Sequence, residues 1–159
     1  VPLRQYVYFA LSSENTTADE MTAFLGVEPD ETTVRGSRGT APVVRPAVHR
    51  WKVACRDGGL GVDEQVEKVL DRLRPHTHRV AELAARLGAQ DGPGAAAVLQ
   101  VVRCFNDSDE PGEGDRPTPP GRTDRFGWHL DRDVLDFLAA TGAVLDVDEY
   151  DMTPDTPQD

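Results

Sequence analysis

Ala96-Ala97-Val98-Leu99-Gln100-Val101-Val102-Arg103-Cys104-Phe105 is the most strand-like stretch of the chain. Branched and apolar residues fill it almost without interruption, the composition of a strand covered by neighbours and central in a sheet. Upstream of it, Val62 to Leu87 has helical spacing, with one apolar stripe of Val62, Val66, Val69, Leu70 and Leu73 and a second of Val80, Leu83, Ala84 and Leu87. Pro75 lies between the stripes, and a proline inside a continuous helix costs about 3 kcal/mol. The expectation is therefore two helices meeting at Arg74-Pro75, with Pro75 in the first turn of the second and Gly88 closing it.

Further upstream, Val48 to Arg56 alternates, with Trp51, Val53 and Cys55 on one face and Arg50, Lys52 and Ala54 on the other. Thr32-Thr33-Val34 reads as a brief edge strand and Tyr6 to Leu11 as a buried one. Between these two, Thr17-Ala18-Asp19-Glu20 fits a capping box, Met21, Phe24 and Leu25 follow at helical spacing, and Gly26 and Pro29 end the helix. Downstream of Phe105, Asn106 to Arg125 is dense in Pro, Gly and acids, and is expected to be a mobile acidic loop. Phe126 to Leu130 reads as extended, and Asp131 as the cap of a helix over Arg132–Thr141 with Val134, Leu135 and Leu138 buried and Gly142 ending it. Val144 to Tyr150 is a last strand with Leu145 and Val147 inward and Asp146 and Asp148 outward; residues 152–159 read as a disordered acidic tail.

The order β-α-(β)-β-α-α-β-α-β predicts a single α+β domain over residues 1–151. It is one mostly antiparallel sheet of four or five strands with helices packed on one face, and a ferredoxin-like variant fits. Its length of 159 residues suits one domain. Val1 to Gln5 runs straight into a strand-like segment, and no stretch has the roughly 20 apolar residues of a membrane span. The expectation is a cytoplasmic protein without membrane contact. Cys55 and Cys104 lie far apart in apolar runs and read as buried free thiols. Isoleucine is absent and lysine occurs only as Lys52 and Lys68, a bias that points to a GC-rich bacterial genome.

A formal net charge of −11 argues against a nucleic-acid partner and favours a basic protein partner, if there is one. Catalytic motifs are missing. Asn106 to Gly112 superficially resembles a calcium loop but lacks helical flanks and the closing Glu. His76 and His78 diverge on a helix and have no third ligand close in sequence. The sequence calls for neither metal nor cofactor. What remains is a set of candidate ligand-binding residues: Arg35 and Arg38, in a Gly-flanked loop able to hold an anion; Trp51, most simply core; and Trp128 with His129, between the acidic loop and a helix.

The landmarks in their order resemble a bacterial family known as domain of unknown function 4279. They are the Tyr6–Leu11 strand leading to Ala18-Asp19-Glu20-Met21; Phe24-Leu25-Gly26-Val27-Glu28-Pro29; Gly36 ahead of His49-Arg50-Trp51; the Val66–Leu73 helix with Pro75; and Leu130 to Tyr150 ending in Leu145-Asp146-Val147-Asp148-Glu149-Tyr150. The resemblance implies a compact α+β domain and brings no activity or catalytic residues with it. The Asn106–Arg125 insertion departs from the family's pattern.

Three functional expectations follow. The first is a non-enzymatic protein-interaction domain, in its sharpest form an immunity-type protein that binds a basic toxin; a homodimer through an uncovered sheet face or edge is compatible with it. The second is a small-molecule or anion-binding module built on Arg35, Arg38, Trp51, Trp128 and His129. The third is an enzyme with His129 as acid–base, which requires a carboxylate within hydrogen-bond reach inside a cleft.

Overall fold

A computed structural model describes residues 3–37, 45–92, 94, 96–107 and 126–154. Arg38, residues 108–125 of the acidic loop and residues 155–159 of the tail lie outside the described residues.

Strand β1 (Leu3–Ser13) leads into helix α1 (Ala18–Leu25), the short strand β2 (Glu31–Thr33) and strand β3 (His49–Cys55). Helix α2 (Val62–Leu73), a 3-10 turn (Arg74–His76) and helix α3 (Thr77–Asp91) come next. Strand β4 (Ala97–Phe105), helix α4 (Arg132–Thr141) and strand β5 (Val144–Asp151) complete the order. The strands form one sheet in the order β2-β3-β1-β4-β5. Only the β4–β5 pair is parallel.

Strands β3 and β4 both run antiparallel to β1 and so parallel to each other, with β1 in the slot between them. This is a split β-α-β unit of the kind found in ferredoxin-like sheets, here with the first strand in the slot. The position expected for β4 thus belongs to β1, and β4 is the next strand out. Odd-numbered residues of β1 face the helices: Val7, Phe9 and Leu11 are fully buried, paired across with Cys55, Val53 and Trp51 and with Val101, Leu99 and Ala97. Met21, Leu25, Val66, Leu70, Leu73, Val80, Leu83 and Leu87 close over them from the helices. Phe137 of α4 meets Phe9 edge-on at 5.7 Å, a geometry worth about 1 kcal/mol beyond area burial.

Local chemistry sets most boundaries. The Thr17 hydroxyl accepts from the Glu20 N–H while the Glu20 carboxylate accepts from the Thr17 N–H, and this pairing holds Glu20 below the usual carboxylate range. Asp131 caps α4, and Gly26 and Gly142 end α1 and α4 in the left-handed region. Cys55 and Cys104 are buried free thiols; the register puts them on opposite faces of the sheet.

Four details differ from expectation. Helix α3 continues through Gly88 to Asp91 because its end is held by tertiary bonds: Asp91 accepts from the Glu14 N–H and the Asn15 amide, and Thr16 donates to Gln90. Those contacts outweigh the ~1 kcal/mol penalty of a helical glycine. Pro75 lies in the 3-10 turn, where its missing N–H is harmless, and α3 starts two residues later. On α4 the buried partner of Val134 is Phe137, while Leu135 is 52% exposed. Val147 of β5 is 38% exposed, because β5 is the outermost strand on its side.

Replacing Thr17 by Ala removes one half of the capping box, and we expect a loss of about 1 kcal/mol of stability. Urea denaturation checks this; an unchanged midpoint would show that the helix start is held by packing alone.

Candidate functional site at the acidic edge of the sheet

The candidate residues read from the sequence do not form one pocket. Arg35 stands beyond β2, at the Ser13 end of β1, where its guanidinium donates to the Glu14 carbonyl (3.0 Å) and its own N–H bonds His49 Nδ1 (3.1 Å). Trp51 is completely buried, and its indole N–H donates to Thr22 Oγ1 at 3.1 Å, so it is a core residue. Trp128 is half-buried against the core. His129 is 74% exposed, 3.7 Å from Asp63 Oδ2. Asp63 opens α2 next to Leu60, whose carbonyl takes the Gln5 amide, so His129 belongs to the Leu3 end of β1, opposite Arg35. At 3.7 Å that carboxylate is beyond hydrogen-bond reach. His76 and His78 line an open depression of about 400 Å³ with Pro75 and Arg79. Among the described residues no three His, Cys, Asp or Glu side chains are grouped to hold a metal ion.

The sheet face opposite the helices is polarised. On its β3 side, Lys52 lies 4.3 Å over the Tyr8 ring and Arg56 lies 4.3 Å over the Tyr6 ring, and the two rings stack 6.2 Å apart. Glu31 takes two bonds from Arg56, at 2.6 and 3.0 Å, and pairs with Lys52 at 3.7 Å. Burial is the first cause that pushes the Tyr8 phenol up and the Lys52 ammonium down. On the other side, Gln100 donates to Asp148 at 3.0 Å, and Asp146 stands exposed. Cations therefore collect towards β3 and carboxylates towards β5.

The β5 edge is uniformly acidic. Strand β5 alone holds four carboxylates, Asp146, Asp148, Glu149 and Asp151, and no cation. Interspersed with these acids, Val144 and Tyr150 are 49% exposed and Met152 46%. The strand itself is firmly attached. Arg103 of β4, only 4% exposed, donates to Glu149 at 2.8 Å and to the Phe126 carbonyl at 3.0 Å. Asn106, in the left-handed region, donates to Asp151 and Thr153. The buried Arg103 Nε and the Gln5 and Gln65 side-chain oxygens find no hydrogen-bond partner among the described residues. These three groups belong to one polar patch, since Gln5 is paired with Arg103 across the sheet and Gln65 donates to the Gln5 carbonyl.

The family model described as Domain of unknown function (DUF4279) matches residues 4–152. The chain belongs to this family. No curated protein and no solved structure matches it. The match takes in every strand and helix of the DUF4279 domain described above except Leu3 of β1, the β5 edge included. Among the described residues no helix is long and apolar enough to cross a membrane. Sequence reasoning did not single out the β5 edge of this DUF4279 chain as a candidate surface, although its pattern was present: a strand with four acids, no basic residue, no proline and no glycine.

The raised Tyr8 pKa carries a pH prediction. Folding favours the neutral phenol, so this contribution is intact below pH about 10 and is lost as pH rises through the raised folded value. Lys52 has the opposite bias, because its depressed pKa penalises the fold while the ammonium is charged. Tyr8→Phe should therefore remove part of the alkaline loss of stability, measured by denaturant unfolding from pH about 9 to about 11. An identical alkaline profile in the variant would assign that loss to other groups.

Proposed function

We propose that this domain is a non-enzymatic interaction module that captures a basic protein partner on its β5 side. The observation that carries this reading is the concentration of charge on one edge strand: Asp146, Asp148, Glu149 and Asp151 fall within the eight residues of β5 with no cation among them. Exposed Val144, Tyr150 and Met152 stand among those carboxylates. An acidic field accelerates encounter with a cationic surface, and apolar side chains within it provide the area that holds a complex once formed. A basic toxin is one such partner, and with it the domain would act as an immunity-type protein. The anion-binding alternative has no comparable support, because Arg35 is engaged by Glu14 and Trp51 is core.

Capture of partners from native extract at low and high salt tests the proposal, with the Asp146→Lys/Asp148→Lys variant beside the natural chain. We expect a basic partner whose association slows about tenfold or more from low to high ionic strength. The double variant should lose it, while Glu82→Lys on α3 should retain it. Capture insensitive to salt, or equal in the double variant, would overturn the reading.

A further inference from the structure

Resting on that reading, we infer that β5 takes its partner by strand addition: an extended basic segment pairs with the outer side of Val144–Asp151. The backbone supplies the first argument. Met152 donates its N–H to the Phe105 carbonyl at 2.8 Å, in continuation of the parallel β4–β5 ladder. Backbone groups alternate sides along a strand, so Val144, Asp146, Asp148 and Tyr150 turn theirs to β4. Leu145, Val147, Glu149 and Asp151 turn theirs outward, where no described strand pairs with them.

The second argument is the contrast between the two edges. Strand β2, on the far side, is three residues long, and a short edge offers little to pair with. Strand β5 has eight residues, about 26 Å of ladder, with no proline, glycine or lysine to blunt it. Its register is held by the Arg103–Glu149 and Asn106–Asp151 bonds, so the template is set before a partner arrives.

Charge decides the occupant. A second copy pairing β5 against β5 would bring Asp146, Asp148, Glu149 and Asp151 against their own counterparts, and like charges across a ladder destabilise it. A strand with lysines or arginines meets the opposite situation. Its apolar or β-branched side chains can lie beside Val144 and Tyr150 on one face and Val147 on the other.

The test uses the whole chain and three capped octapeptides: alternating Lys-Thr, alternating Lys-Pro of equal charge, and alternating Glu-Thr. Binding is followed by residue-resolved amide exchange. In the free protein the Val147, Glu149 and Asp151 amides should exchange quickly and those of Asp146, Asp148 and Tyr150 slowly. Lys-Thr peptide should bind in a salt-sensitive manner and bring the fast set to slow exchange, whereas Lys-Pro should bind more weakly and leave it fast. Val147→Pro removes an outward N–H and no β4 bond, so it should fold and bind Lys-Thr about tenfold more weakly. The β4-facing amides of the variant, if still slow, verify that β5 remains in place. Where they are not, Val147→Lys serves, keeping the N–H and repelling the peptide by charge. Equal binding of Lys-Thr and Lys-Pro with the fast set unchanged would overturn strand addition and leave the acidic-capture reading standing. Failure of both basic peptides to bind at low salt, or equal binding of Glu-Thr, would overturn both. Slow exchange of the outward set in the free chain, with a concentration-dependent dimer, would replace the basic partner by a second copy.

Discussion

The fold depends on β1 lying between two strands that the chain reaches much later. Its helix-facing residues Val7, Phe9 and Leu11 have no contact with water. Each stands between a β3 and a β4 residue that are far apart in sequence. That arrangement requires α2, the 3-10 turn and α3 to cross over β1 before β4 can pair, which is why the two-helix segment interrupted by Pro75 is as long as it is. Three buried side chains of this kind are each worth about 2 kcal/mol relative to exposure, a large part of an ordinary domain's net stability. The hairpin-like local pairs that make small sheets fold early are few here. Formation of the core waits on long-range contacts.

Once β1 is central, the two edges are no longer equivalent. The β2 side ends in three residues and its cations are bound: Lys52 and Arg56 both meet Glu31 and each covers a tyrosine ring. The β5 side ends in eight residues, with Asp146 exposed and apolar side chains beside it. Charge that is paired internally is spent on the fold, while charge left in solvent acts at a distance on other molecules. The polarity of the sheet thus separates a structural side from one suited to encounter.

Short-range chemistry in this sequence was legible and long-range placement was not. Thr17 with Glu20, Asp131, Gly26 and Gly142 work within a few residues, and each boundary they imply is where the structure has it. Alternation likewise placed Trp51, Val53 and Cys55 together on the helix-facing side. By contrast, Val134 can share a helical stripe with Leu135 and Leu138 or with Phe137 and Leu138, and only the position of Phe9 decides between them. Gly88 reads as a stop until the bonds from Glu14, Asn15 and Thr16 to the end of α3 are known. The candidate set Arg35, Trp51, Trp128 and His129 failed to converge for the same reason. Residue type suggested a ligand, but strand order sent Arg35 and His129 to opposite ends of β1.

Strand order also explains why β5 escaped notice as a surface. Its alternation of Leu145 and Val147 with Asp146 and Asp148 is what a half-buried interior strand would show, and Val147 is exposed because no strand among the described residues lies beyond it. An edge of this length is a hazard to a protein that has no use for it. Uniform negative charge answers the hazard in one direction only. It repels further copies of the chain, whose own edges carry the same carboxylates, and it admits a strand of opposite sign. Lysine or proline, the usual edge blockers, would have excluded both. Under the proposed reading, the choice of acid over these alternatives links the edge's resistance to self-pairing to the sign of the strand it would admit.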